Sequence, residues 1–549
     1  MLGLPPSATW AVALVALTVI IRFFIRLHYQ RSLLKGLPGP PRSYAFGSLI
    51  SMGKAFATQP PNAAPQASFR ALKDYYDLPD TYYVDTWPMG PPIMIINDLD
   101  IYNEIAIKNS HPKHPLTDDF MQYFGGPGNL VTSEGQTWKK WRAAFNPGFS
   151  TSHLMTTVPM IVDECQTFCD IMAENARNNT VFRMEVATTK LTVNIIGKIV
   201  LDLDFNAQRG RNVMLDAFNS QTSWSYLGVQ FQPSELWDIR RPIMLKYNNW
   251  KMNKYLSDLL DKRFAARTSG GKTKHVVDLA LESYMKEVKG LEGKAEDIKE
   301  VDPEFKQSVI SNMKTFIFAG HDTTSSVLCY AFYYLSQHPD ILARIRREHD
   351  EVFGPDPDQV ADKLRKEPHL LNKLDYTLAV TKEVLRIQPP ASSIRAGLPG
   401  EFLHNPETGE RYPTENFMLF LLDTGLHRHA KYFPDPHTFN PERFLPGSEI
   451  YNRQTHAAWI AFSKGPRNCI GQELALMETK VILAMILRRF DFVAAYEEVG
   501  ELAGDGSGYP SLRKGVLRQF GERAYQVQRG TAKPSEGMPC RLRERKVAR

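Results

Sequence analysis

No charged side chain occurs in the first twenty-one residues, MLGLPPSATWAVALVALTVII, and charge returns at Arg22, Arg26, Arg31 and Lys35. An uncharged run of about twenty residues can span a bilayer, and a basic flank on its C-terminal side stays cytosolic. A cleaved signal peptide carries its positive charge before the apolar run, not after it. The pattern therefore predicts a signal anchor over residues 1–27. Residues 28–42 follow as a basic flank ending in LPGPPR (Leu37 to Arg42), where prolines stiffen the exit and forbid a continuing helix.

The body after the hinge reads as mostly helical. The clearest helix is VDPEFKQSVISNMKTFIFAGHDTTSSVLCYAFYYLSQHPD, in which Asp302 suits an N-cap, Pro303 the first helical position and Glu304 the positive end. Pro339 marks the far boundary. Such a rod is roughly 50 Å long, and its apolar, aromatic flanks predict burial. Within it, AGHDTT (Ala319 to Thr324) is a local contradiction, because glycine and threonine are poor helix formers and a core aspartate needs a partner. Two readings are open there: a capped break between two helices, or a loosened turn facing a polar cavity. Ala319 and Thr323 share a face, and Asp322 beside them suggests a hydroxyl–carboxylate proton relay.

A second helix runs from about Leu371 to Gln388 and places Glu383 and Arg386 on one face. The proline- and aromatic-rich stretch Phe433 to Pro446 reads as a packed meander, from which Arg443 can reach that ion pair. Thr268 to Lys274 is a surface loop; its Gly-Lys-Thr lacks the glycine a phosphate loop needs five positions earlier, where Ala266 stands. No G-x-G-x-x-G is present to bind a dinucleotide.

The balance of 66 basic and 60 acidic residues adds no basic stripe of the kind nucleic-acid binding requires. The five cysteines, at 165, 169, 329, 469 and 540, are too sparse for a disulfide framework and point to a reducing compartment. Cys165 and Cys169 can share a helix face but have no neighbouring histidine or cysteine for a zinc site, and read as core filler. Asn178-Asn179-Thr180 is a glycosylation sequon that a cytosolic body leaves unmodified.

Cys469 stands apart, in FSKGPRNCIGQE. Phe462, Gly465, Arg467, Cys469 and Gly471 form F-x-x-G-x-R-x-C-x-G, which resembles the haem-binding signature of the cytochrome P450 family. Trp138 and Arg142 (W-x-x-x-R), the AGHDTT helix, E-x-x-R and PERF precede it in the family's order, so the likeness spans Trp138 to Gly471. The resemblance implies a mainly α fold with small β-sheets, a single triangular haem-thiolate domain over 43–530 behind a transmembrane helix, and a basic C-terminal tail over 531–549.

It also implies haem b with Cys469 as axial thiolate. Lys464 and Arg467 are expected to lower the thiol pKa, and Gly465 and Gly471 to let the backbone bend close under the porphyrin. Asp322 and Thr323 would be the acid–alcohol pair that guides protons, with Ala319 leaving room above the haem. Trp138, Arg142, Arg395 and Arg467 would hold the haem propionates, while Phe462 and Gly471 shape the cysteine loop. Glu383, Arg386 and Arg443 would form a structural charged triad.

Substrate contacts are expected from Leu116–Leu130, Asn206–Leu245, Phe316–Ala319 and Ser392–Ile394, whose aromatic and apolar content implies a lipophilic molecule. FAGHDTTSS, RIQPPASSIRAG and YPTENF are similar to filamentous-fungal members that tailor polyketides and terpenoids. The implied partners are O2, a separate NADPH-cytochrome P450 reductase docking on a basic patch near Lys464 and Arg467, and the endoplasmic-reticulum membrane, with the body cytosolic. Desaturation, isomerisation or dehydration on the same haem-thiolate, and a non-catalytic haem or lipid binder, are the competing readings.

Overall fold

The computed structural model describes residues 6–545 except 61, 226–236, 269–274, 293–300, 506, 508, 510–518 and 520–522. The described chain divides into two compact units. Unit 1 comprises residues 1–59, 66–114 and 393–425, and unit 2 residues 60–65, 115–392 and 426–549.

Unit 1 begins with α1 (Pro6–Leu33), the one helix among the described residues long and apolar enough to cross a membrane. It also holds strands β1 (Thr81–Val84), β2 (Ile93–Ile96), β3 (Ser393–Ala396) and β4 (Met418–Leu421), ordered β1-β2-β4-β3. Thr81 faces Ile96 in an antiparallel pair, β2 and β4 run parallel from Ile93 and Met418, and Ser393 faces Leu421 antiparallel. Every residue of β1 and β2 is buried, so these strands read as unbroken apolar runs.

The basic flank is built into unit 1. Residues 28–33 continue α1, and Leu27, Gln30 and Leu34 are buried. Arg42 then donates to the carbonyls of Leu34 (2.8 Å), Leu37 (2.9 Å) and Tyr83 (3.0 Å), tying the proline segment to β1.

Unit 2 contains α2 (Gly135–Phe145), α3 (Val158–Arg177), α4 (Met184–Ile196), α5 (Val213–Trp224), α6 (Arg240–Thr268), α7 (Pro303–Gln337), α8 (Asp375–Ile387) and α9 (Gln472–Ile486). Asp302 caps α7 by accepting from the Phe305 N–H at 2.8 Å, and α7 then runs unbroken for 35 residues. AGHDTT is therefore not a helix boundary. Gly320 is required by packing rather than by looseness, since a Cβ there would lie 2.7 Å from the Ile196 side chain on α4. Thr323 stays helical by returning its hydroxyl to the Ala319 carbonyl at 2.8 Å. The helix expected from Leu371 starts at Asp375, after a tight turn over Pro368–Lys373.

The expected tail is largely structured. Strands β5 (Phe490–Ala494), β6 (Gln526–Arg529), β7 (Thr531–Pro534) and β8 (Pro539–Glu544) lie in unit 2. β6 and β7 form a hairpin turned by Gly530 at φ +80°. β8 pairs with β5 through Leu542 and Phe492, and with the short strand Phe182–Arg183 through Cys540. Arg541 forms an ion pair with Glu498 at 2.5 Å, and residues 546–549 lie outside the described residues. Strand pairing satisfies the backbone there and the buried Cys540 and Leu542 anchor it.

Candidate active site

The Cys469 loop precedes α9. Ser463 (φ +58°) and Gly465 (φ +74°) turn the backbone, and the Cys469 N–H donates to the Phe462 carbonyl at 2.9 Å. The N–H groups of Gly471 and Gln472, at the start of α9, donate to the Cys469 sulfur. The sulfur thus takes the place of a capping oxygen where the helix leaves amides unpaired. Cys469 is exposed, whereas the other four cysteines are buried. Enough protein nevertheless surrounds its sulfur that burial pushes the thiol up, against the Gly471 and Gln472 amides and the charge of Arg142. An open sulfur in dense surroundings with two amide donors fits a metal-bound thiolate, because coordination overrides the burial effect and deprotonates the thiol.

The charge beside the sulfur is not the expected one. Arg142 on α2 supplies it, held by the Asn468 carbonyl and side-chain oxygen, both at 2.8 Å. Arg467 turns away to the carbonyls of Ser133 (2.8 Å) and Val131 (3.1 Å) and to Glu134 (3.1 Å), its guanidinium 4.7 Å from the Trp138 ring. Lys464 is bonded to the Ala457 carbonyl. Both cations are therefore tethered locally, Lys464 to a neutral carbonyl and Arg467 beside Glu134. Gly471, at φ −87°, does not need a glycine's conformational range.

On α7 the face of Ala319 and Thr323 is open, with Ala319 exposed, whereas Gly320 packs on Ile196 and the helix is otherwise buried from Val309 to Leu335. Residues i and i+4 share a face, so a buried helix presents an uncovered surface at its centre. Phe318 borders it, stacked on Phe124 at 4.5 Å and near Phe120 (5.9 Å) and Phe218 (6.1 Å). The Leu116–Leu130 stretch, α5 and α7 thus meet in one aromatic cluster. Within Asn206–Leu245, residues 226–236 lie outside the described residues.

Asp322 does not share the open face. Its carboxylate pairs with Lys533 on β7 at 2.7 Å and accepts from the Thr531 N–H at 2.8 Å. Glu185 on α4 pairs with the same ammonium. Burial alone would raise the Asp322 carboxyl; Lys533, His321 and the Thr531 N–H outweigh it and hold it below the usual range. Burial opposes the Lys533 charge too, but Asp322 and Glu185 raise its pKa. Gly530 permits the approach, for a Cβ there would stand 2.8 Å from the carboxylate. Asp322 and Thr323 are adjacent in sequence but turn to different partners.

Trp138, Arg142 and Arg467 come together in unit 2 around the Cys469 loop. Arg395 belongs to unit 1, on β3, where it is buried and donates to the His111 carbonyl at 3.4 Å. Ser392 falls in unit 2, and Ser393 and Ile394 in unit 1. Glu383, Arg386 and Arg443 also meet. Arg386 binds both Glu383 oxygens, at 2.7 and 2.8 Å, and the Arg443 Nε is 3.5 Å from Glu383. Arg386 further donates to the carbonyls of His427 and Pro436, both at 2.7 Å, so this buried pair ties α8 to the meander.

Sequence reasoning missed Lys533 and Glu185, and it missed Lys314 on α7. Lys314 is 1% exposed, and its ammonium donates to the Asn249 side chain on α6 at 2.8 Å. Burial lowers its pKa to about 8. Among the described residues no group of three or more His, Cys, Asp or Glu side chains is placed to hold a metal ion.

Comparison with known proteins agrees with this arrangement. The family model for cytochrome P450 matches residues 37–502. The chain is 37% identical over 539 residues to cytochrome P450 monooxygenase polC of Polytolypa hystricis, covering 97% of this chain and 95% of that one. It is 34% identical over 496 residues to cytochrome P450 monooxygenase acrF of Aspergillus aculeatus, covering 87% and 97% respectively. The fold matches a crystal structure of the cytochrome P450DA haem domain with a TM-score of 0.69 at 20% identity, over 93% of this chain and 98% of that one. With the family model spanning most of the chain and the sulfur, the amides and the open helix face in place, this protein belongs to the cytochrome P450 monooxygenase family, mainly α-helical enzymes that bind haem through a cysteine thiolate.

Proposed function

We propose that this enzyme, anchored in the endoplasmic-reticulum membrane by α1, inserts one oxygen atom of O2 into a lipophilic small molecule, with electrons from NADPH-cytochrome P450 reductase. The observation that carries the site assignment is the Cys469 sulfur, open and facing the first two amides of α9. Haem held there supplies oxygen activation, because a thiolate ligand favours cleavage of the O–O bond.

The chain's own residues have separable tasks in this reading. The Gly471 and Gln472 amides and Arg142 stabilise negative charge on sulfur. Trp138, Arg142 and Arg467, which lie together in unit 2, are the candidates for binding the propionates. Thr323 Oγ holds a proton on the open face of α7, and Asp322, kept ionised by Lys533, is the carboxylate that takes up a proton from solvent and passes it on. Because the carboxylate and hydroxyl have different partners at rest, passing a proton between them requires water or a turn of the Asp322 side chain. Phe120, Phe124, Phe218 and Phe318 suit an apolar substrate. Lys139 and Lys140, exposed on the same helix as Arg142, are better placed than Lys464 or Arg467 to meet an acidic reductase surface.

Likeness to fungal relatives supports a substrate from secondary metabolism. The decisive test is spectroscopic, then catalytic. Reduced protein exposed to carbon monoxide should show the red-shifted absorption of thiolate-ligated haem, and Cys469→Ser should abolish it. Retention of that band in the Cys469→Ser protein would refute the assignment. With reductase and NADPH, Thr323→Ala should divert electrons from product to hydrogen peroxide; unchanged product would favour a reaction that does not activate O2.

A further inference from the structure

Lys314 lies on α7 one helical turn before Phe318, so the two side chains share a face. It is buried, yet no carboxylate among the described residues pairs with it. An ammonium has three hydrogens to donate, and its acceptor is the Asn249 side-chain oxygen on α6, at 2.8 Å. Buried cations are ordinarily paired, because an uncompensated charge out of water is costly. Lys533 and Arg386, also buried, follow that rule with Asp322 and Glu383. Lys314 does not.

The surroundings offer the ammonium little more. Gly126, at φ +113°, brings the loop after Phe124 down onto α7, where a Cβ would lie 2.9 Å from Ser311 Oγ and 3.6 Å from the ammonium. The Gly126 carbonyl, however, accepts from Asn129 at 2.7 Å, and Thr315 returns its hydroxyl to the Ser311 carbonyl at 2.8 Å. A second polar group is left over at the same junction, on α5. Gln221 is 1% exposed; its nitrogen donates to the Tyr123 carbonyl at 3.0 Å, and its oxygen is buried with no donor among the described residues. A cation lacking an anion and an acceptor lacking a donor thus lie against one short loop, Tyr123 to Gly126. Phe124 of that loop packs on Phe218 at 5.8 Å and on Phe318 at 4.5 Å.

We propose that Lys314 is the receptor for an acidic group on the substrate, which is therefore a lipophilic carboxylic acid whose apolar body lies on the phenylalanines. This rests on the reading of the site as an oxygenase centre and names the class of molecule it takes. A carboxylate supplies the counter-charge that the fold omits, and a hydroxyl on the same molecule suits the Gln221 oxygen. An apolar residue would fill the same space without a stranded charge, so packing gives no reason for lysine here. Ala319 and Thr323 follow Lys314 by five and nine positions, roughly 8–14 Å along the helix. The end of the molecule that meets the open face of α7 is thus the end remote from its acid group.

The test compares dodecanoic acid and abietic acid, one flexible and one rigid, each with its methyl ester. The proteins are the full-length haem enzyme and its Lys314→Met and Lys314→Gln variants, the second of which can still bond to Asn249. Equilibrium dialysis gives the affinities without turnover, and taking the acid-to-ester ratio in parent against variant cancels differences in partitioning. At least one acid should bind the parent about tenfold or more tighter than its ester, as a charged hydrogen bond in a buried site implies. That preference should vanish in both variants, whereas a purely structural lysine would weaken acid and ester alike. The same ratio in parent and Lys314→Met, or no measurable binding of either acid, would overturn the proposal. The carbon monoxide band of each protein separates the failures. A thiolate-haem band without acid preference removes the anion site alone; a parent lacking the band removes the oxygenase reading and this inference with it.

Discussion

The ammonium of Lys314 is enclosed beneath the Gly125–Asn129 stretch, with the Asn249 amide oxygen as its acceptor. A cation so placed loses hydration that one neutral acceptor restores only in part. In the unfolded chain it titrates near 10.5, and in the fold at about 8. Between those values the unfolded state binds the proton more tightly, so this residue makes stability rise with pH across that window. Below pH 8 the penalty is full, about 3 kcal/mol by the size of the shift. Lys314→Met should therefore be at least as stable as the parent at pH 7, with the advantage shrinking as pH approaches 10. Urea unfolding at both pH values measures it, and a variant less stable at pH 7 would show that the Asn249 bond outweighs desolvation. Lys314 was not legible in the sequence, because a lone lysine in a helix is normally solvated and only the covering loop reveals otherwise. Cys469 was legible because its partners are local: the turn, the sulfur and the donating amides follow one another closely in the chain.

At the scale of elements, the β6–β7 hairpin and α7 are joined by one cation between two carboxylates. Lys533→Met would leave Asp322 and Glu185 buried without a counter-ion, a loss on the order of 3–5 kcal/mol. Adding Asp322→Asn and Glu185→Gln to the same protein should recover much of it, and thermal unfolding of the single and triple variants tests this. Both carboxyls have lowered pKa values, so the parent keeps this stabilisation above the ordinary carboxylate range and loses it as the pH falls through their folded values. In Lys533→Met the acid dependence should weaken or reverse. Helix α7 was readable from Asp302, Pro303 and its apolar flanks. The hairpin was not, since strand pairing is non-local and the arginines of RLRER suggested a solvated end. A period-two signal was nonetheless present: Cys540 and Leu542 are buried, while Arg541 and Arg543 point outward.

For the whole molecule, orientation is the property that most needs a test. Asn178 caps the end of α3 and is exposed, so sterics do not protect its sequon. If the body faces the cytosol, the protein expressed in a eukaryotic host should show no mobility shift on glycosidase treatment, and a shift would invert the topology. The family and its mainly helical fold were evident from the ordered motifs, because each lies within a short span of chain. The division into two units was hidden, for unit 1 is assembled from three separate stretches of sequence.

The position of Lys533 near the C-terminus has a consequence for how the body holds together. Asp322 and Glu185 lie on helices far upstream of their shared counter-charge, so neutralising the two carboxylates and docking the β6–β7 hairpin are a single coupled event. Loosening that hairpin should therefore sensitise α4 and α7 together, rather than one helix at a time.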